Sequence, residues 1–196
     1  MKKIKYAALF TREDSGYKDR AEWDVYDINR DATNYKGDLP VVAHPPCRAW
    51  GILSHMANPR EGEKELAHFA IKQVRRCGGI LEHPSGSRLF KHHLPDVGMF
   101  PDEFGGYTII IDQFDFGHVA HKNTKLYICG VSVDDLPSLP PQRMEEAQRS
   151  ITGFTVKVHG RYLKRCTQKQ REYTPELLMD WFEKVLEKVQ KAENNC

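Results

Sequence analysis

The apolar positions fall into short runs separated by polar, glycine- and proline-rich breaks. KIKYAALF (Lys3 to Phe10) and EWDVYDI (Glu22 to Ile28) predict two strands. PVVAH (Pro40 to His44) predicts a third, apolar throughout as expected of a strand covered on both faces. From Asn58 to Cys77 the period changes. Leu66, Ala70 and Val74 recur every four residues, with Phe69 and Ile71 widening the stripe, which predicts an amphipathic helix. Asn58 is the predicted N-cap, Pro59 a first-turn residue, and Gly78-Gly79 the stop. Ile80-Leu81, running into Glu82-His83-Pro84, predicts the next strand. Tyr107 to Phe114 and Lys125 to Cys129 predict two more around the polar loop DFGHVAHKNT. Asp134 to Pro141 reads as a surface connection. Thr174-Pro175-Glu176 opens a last helix, with Leu177, Leu178, Trp181, Val185 and Val189 as its buried stripe.

Strands that alternate with a helix early and pair directly late predict an α/β fold, a mostly parallel sheet with an antiparallel edge. Ligands of such sheets bind beyond the carboxyl ends of the strands. Three polar clusters fall at those ends: His44 to Cys47, Glu82-His83, and Gly117 to Thr124.

Composition narrows the class. The chain has 196 residues, 40% hydrophobic and 29% charged, with a net charge of +2, as for an ordinary globular protein. It has no membrane-spanning run, and MKKIKYAALFTRED is too short in its apolar part for a signal peptide. The expectation is therefore a cytoplasmic protein without a membrane partner. Five scattered cysteines, with no C-x-x-C pair, argue against a disulfide scaffold or a cysteine zinc ribbon.

Cys47 reads in two ways. Between stiff prolines and beside Arg48 and His44 it suits a thiolate nucleophile; equally, it suits a small buried residue. Glu82 ends an apolar strand, where a carboxylate needs a partner or a task. It is either a salt-bridge partner of Arg48 or Arg88, or a carboxyl of raised pKa that hydrogen-bonds a ring nitrogen. Among nine histidines, His44-x-x-Cys47 and His118-x-x-His121 have metal-ligand spacing, so a zinc-dependent nucleobase hydrolase or deaminase stays open. Lys157 to Arg171 holds six Lys or Arg and one tyrosine, either a phosphate-binding stretch or a solvated loop and strand.

The order of these blocks carries a resemblance. HPPC (Cys47), LEHP (Glu82) and FDFGHVAHKNTKLYICG (Phe114 to Gly130) resemble the DNA cytosine-5 methyltransferase family, most closely short phage- and prophage-borne relatives without a target-recognition domain. The resemblance spans roughly residues 38 to 130, with a faint late match in QREYTPELL. It implies one Rossmann-like, methyltransferase-type α/β domain over 1–196, truncated in its N-terminal half, and a host-cytoplasm location if a phage encodes it. It also implies that Cys47 adds to C6 of a cytosine in DNA or a pyrimidine nucleotide, flipped out if in a duplex. Glu82 would bind N3 and the 4-amino group, and C5 would take a methyl group from S-adenosylmethionine. Pro46, Arg48, His83, His118 and Lys122 fall in the substrate pocket, and Phe10, Thr11 and Asp27 at the cofactor. The departures are concrete. The family's glycine loop is replaced by ALFTREDSGYK, whose single glycine is Gly16, and its later arginines by His118, His121 and Lys122. These favour, as the alternative, a catalytically silent nucleic-acid or nucleotide binder. A partner protein would supply the missing recognition surface.

Overall fold

The structure is a computed structural model and describes residues 3–51, 54–152 and 156–193. Six strands build the main sheet: β1 Tyr6–Leu9, β2 Trp23–Tyr26, β3 Val41–Ala43, β4 Gly79–Pro84, β5 Tyr107–Asp112 and β6 Asn123–Cys129. Their spatial order is β2-β1-β3-β4-β6-β5. The first four run parallel, and β6 lies antiparallel between β4 and β5. The fold is thus α/β with a mostly parallel sheet and an antiparallel edge, as the element pattern predicted.

The short parallel strands are apolar because both faces are covered. Ala7, Leu9, Val41, Ala43 and Leu81 pack against Ala67, Ala70, Ile71 and Val74 of α1 (Glu63–Cys77). On the other face, Tyr6, Ala8, Val42 and Ile80 pack with Leu178, Phe182, Val185 and Leu186. These last four belong to the C-terminal helix Glu176–Glu193. Between β1 and β2, and between β2 and β3, the chain makes only the 3₁₀ turns Gly16–Asp19 and Ala32–Asn34.

Two helix details correct the sequence pattern. The first helix starts at Glu63, not at Pro59. Gly62 is its N-cap at φ 72°, and Asn58 itself is left-handed at φ 43°. The Glu63 carboxylate accepts the Arg60 N–H at 3.2 Å, so residues 58–62 form a capping turn ahead of the helix. In the C-terminal helix Leu177 is 58% exposed, and the buried stripe runs instead through Leu178, Trp181, Phe182, Val185, Leu186 and Val189.

Beyond a one-turn helix α2 (Leu89–His92), a second sheet orders β7 Arg149–Ser150, β9 Arg161–Arg165 and β8 Val156–Val158 side by side. It leads into the short α3 (Gln168–Glu172), which Thr167 and Gln170 close with a capping box, and then into α4 (Glu176–Glu193). Among the described residues no helix is long and apolar enough to cross a membrane.

Candidate functional site

From β1 the sheet grows outward to β2 on one side and to β3 on the other. The strand order reverses there, and such a reversal opens a crevice beyond the carboxyl ends of the strands. A cavity of about 440 Å³ occupies this place, lined by Phe10 and Thr11 after β1, by His44 to Arg48 after β3, by Glu82 and His83 of β4, by Lys122 before β6, and by Arg171 to Thr174. Its volume is that of a small-molecule site.

The Pro45-Pro46 pair ends β3, because neither residue has an N–H for the ladder. Cys47 then starts the 3₁₀ turn Arg48–Trp50, and its carbonyl accepts the N–H groups of Trp50 and Gly51, both at 3.0 Å. Of the four described cysteines it alone is exposed. The protein atoms around its sulfur push the thiol pKa up, the Glu82 charge adds to this, and Lys122 opposes it more weakly. Cys47 is therefore a protonated thiol at neutral pH. The expected electropositive setting is corrected here. Arg48 spends its charge on the buried Glu63, in a two-pronged pair at 3.0 and 2.5 Å, although it still lines the cavity.

Among the described residues no arginine pairs with Glu82. His44 Nδ1 lies 3.1 Å from its Oε2, and Gln113 Nε2 donates to its Oε1 at 2.9 Å. Gln113 Nε2 also reaches Thr124 Oγ1 at 3.0 Å, and that hydroxyl donates to the Lys122 carbonyl. On the far side of His44, its Nε2 is 3.2 Å from the Tyr17 hydroxyl. Tyr17 is fully buried, and desolvation together with the Glu82 charge keeps its phenol protonated. Tyr17 thus donates to His44 Nε2, which leaves the His44 proton on Nδ1, donating to Glu82.

Burial raises the Glu82 pKa, and this is the largest single effect. The Lys122 ammonium and the His44 hydrogen bond together overcome it and bring the carboxyl down to about 2. The expectation of a raised glutamate pKa is corrected: Glu82 is an ionised, buried acceptor. Tyr17 and Gln113, which hold this arrangement, carry no local sequence signal, because each meets the site only through the tertiary fold.

His83 alternates to the opposite side of β4. It is 0% exposed, and neither ring nitrogen has a hydrogen bond of ordinary geometry, although the carbonyls of Pro45 and Pro46 approach closely enough to favour its proton. Burial outweighs them and brings its pKa down to about 4. Pro46 lines the cavity; His118 does not. His118 is buried away from it, with Nε2 2.8 Å from the Gln170 carbonyl, and so ties α3 to the β5–β6 connection. His121 pairs with Asp112 at 2.6 Å. His44 and Cys47 line the cavity and His118 and His121 do not, and among the described residues no group of three His, Cys, Asp or Glu is arranged to hold a metal ion.

The residues at the β1 and β2 ends do not fit S-adenosylmethionine. Phe10 and Thr11 line the cavity, but Thr11 gives both its N–H and its hydroxyl to the Tyr26 carbonyl. Asp27 lies outside the cavity lining. Lys18 and the N–H groups of Asn29 and Arg30 occupy it, and with Lys18 foremost they hold its pKa down despite burial. Gly16 lines the cavity, and a Cβ there would meet the flexible end of Met179, Cε at 2.8 Å. At the mouth, Arg12 bonds Asp14 and Glu172, and Lys169 bonds Asp14, which ties the loop after β1 to α3. No protein-family model and no curated protein matches the chain.

Proposed function

We propose that this chain binds a pyrimidine base in the cavity between β1, β3 and β4, and that the Cys47 thiol adds to C6 of the ring while Glu82 holds its polar edge. Under this reading it is a small Rossmann-like relative of the DNA cytosine-5 methyltransferases. The observation that carries the reading is the meeting of Cys47, Glu82 and Lys122, from three separate elements, on one cavity at the strand-order reversal.

The chemistry follows from the charges. An ionised Glu82 accepts from the 4-amino group of cytosine. It also favours a proton on N3, because a bare N3 would face a carboxylate with no hydrogen between them. A ring protonated at N3 is the better electrophile at C6. The Cys47 sulfur forms its bond to C6 as the thiol proton passes to solvent water, and the Lys122 charge favours that loss. The electron pair of the C5–C6 double bond moves to C5, which takes a proton from water. Reversal removes either hydrogen from C5 and restores thiol and base. Because the β1 and β2 ends do not fit S-adenosylmethionine, no methyl transfer enters this sequence.

Reversible addition therefore exchanges the C5 hydrogen with solvent. Cytosine deuterated at C5, presented in an oligonucleotide and as dCMP, should lose deuterium to water with the wild-type protein and not with Cys47→Ser. A wild-type rate no faster than that of Cys47→Ser would overturn the addition. A second reading, a binder without chemistry, is favoured by the raised Cys47 pKa. It predicts dCMP or oligonucleotide binding with no exchange.

A further inference from the structure

We propose that the small β7–β9–β8 sheet is a binding surface for single-stranded polynucleotide, with the strand running from it over α3 to the cavity mouth. The path rests on the base-binding reading; the surface itself stands on separate observations.

The first is charge. Residues 147–171 carry seven Lys or Arg and no Asp or Glu, whereas the whole chain has 29 against 27. The rest of the molecule is thus net acidic, and the positive charge is concentrated in this one module. Among the described residues no carboxylate pairs with Lys157, Lys164, Arg165 or Arg171. Unpaired surface cations of this kind bind phosphates and release counterions.

The second is register. Lys157 lies directly across from Tyr162, and side chains two apart on a strand share a face, so Tyr162 and Lys164 of β9 point the same way. Tyr162 is 67% exposed, with Lys157 Nζ 5.5 Å from its ring centroid, while Leu163 between Tyr162 and Lys164 is buried. One face of the hairpin therefore presents an aromatic ring with Lys157 against it and Lys164 two residues further along the same face of β9. A ring so placed stacks on an unpaired base, and the lysines reach the flanking phosphates.

The third is continuity. After β9 the chain passes through Thr167 directly into α3, whose Gln168, Lys169 and Arg171 line the cavity, with the half-exposed Tyr173 beyond them. A single strand offers unstacked bases both to Tyr162 and to the cavity. A duplex would first have to unstack and unpair a base.

The test is fluorescence anisotropy with a labelled cytosine-containing oligonucleotide of roughly 12 nucleotides, single-stranded or annealed to its complement, between about 50 and 200 mM salt. The single strand should bind at least ~10-fold more tightly than the duplex. Tyr162→Ala should weaken it by roughly 5-fold or more, as expected for the loss of one stacked base. Lys157→Glu with Lys164→Glu should weaken it further and flatten the salt dependence by about two phosphate contacts. Circular dichroism confirms that the surface variants fold. Equal or tighter duplex binding, or single-strand binding unchanged in these folded variants, would overturn the proposal. Strand binding is read by anisotropy and the Cys47 chemistry by deuterium loss from free dCMP, so failure of the surface proposal and failure of the base-addition reading are separate results.

Discussion

His44, just after β3, and Glu82, within the adjacent parallel strand β4, meet at 3.1 Å between His44 Nδ1 and Glu82 Oε2. This contact decides the character of the cavity. Tyr17 fixes the His44 tautomer from behind, so Glu82 receives a donor rather than giving one. With Gln113 donating to its other oxygen, the carboxylate is positioned on both sides. Its remaining lone pairs can accept further hydrogen bonds but, ionised, the carboxylate has none to give.

The same charge controls Cys47. Glu82 raises the thiol pKa, so its removal should lower it. Alkylation of Cys47 by iodoacetamide, followed by peptide mass spectrometry against pH, should have its midpoint above that of an ordinary thiol in the wild-type protein. The midpoint should move down in Glu82→Gln, with faster labelling at neutral pH. An unchanged or higher midpoint in Glu82→Gln would show that the carboxylate does not act on the thiol.

Glu82 also makes stability depend on acid. Its folded pKa of about 2 lies below the ordinary 4.5, so its contribution is fully present above pH 4.5 and is lost as pH falls through 2. The difference between the two values corresponds to something on the order of 3 kcal/mol. Urea unfolding of the wild type and Glu82→Gln should show the stability gap between them closing across this window. A gap that stays constant from pH 5.5 to 3 would contradict the stabilisation of the ionised carboxylate by the Lys122 charge and the His44 hydrogen bond.

The parts that could be read from the chain alone are those set by local pattern. Apolar runs such as PVVAH gave β3 within a residue or two. Glu82, expected at the end of its strand, lies instead inside β4, whose pairing with β6 carries it on to Pro84, and Cys47 follows the end of β3 by four residues. Phase was less visible. Leu177 and Leu178 fit a helical stripe equally well, and only the packing of Phe182 and Leu186 on the sheet turns Leu177 to solvent. Charge state was not visible at all. Proximity to a lysine in space, not along the chain, lowers the Glu82 pKa, and Glu63 takes up the charge of Arg48. The small sheet was hidden because β7 and β8 span two and three residues, too short for a period to show.

His83 is the least satisfied side chain near the site. Among the described residues neither ring nitrogen makes a hydrogen bond of ordinary geometry, and burial, outweighing the nearby Pro45 and Pro46 carbonyls, holds its pKa near 4, below the ordinary 6.5. A depressed histidine pKa means that the unfolded chain takes up the proton first, so stability falls as pH drops from 6.5 towards 4. By pH 5 the loss is about 2 kcal/mol. His83→Leu removes both the titration and two orphaned polar atoms. Its stability at pH 7.5 should equal or exceed that of the wild type, and the drop between pH 7.5 and 5 should shrink. A large loss at pH 7.5 would mean that the ring makes a hydrogen bond that the fold depends on.

Gly79 carries the sheet beneath the site. It begins β4 at φ 132°, a conformation L side chains rarely adopt. A Cβ there would fall 2.0 Å from the Val41 carbonyl oxygen and 2.8 Å from the Val41 nitrogen. Both are backbone atoms of the paired strand β3, so neither can move aside without breaking the β3–β4 ladder that sets Cys47 beside Glu82. Gly79→Ala should therefore cost more than ~4 kcal/mol, at the extreme of single substitutions. Gly98→Ala, at φ 80° with nothing within 4 Å of the added carbon, carries only the conformational strain and should cost about 1 kcal/mol. Urea denaturation of the two variants separates the contributions: equal losses would show that backbone strain, rather than the clash with Val41, limits position 79.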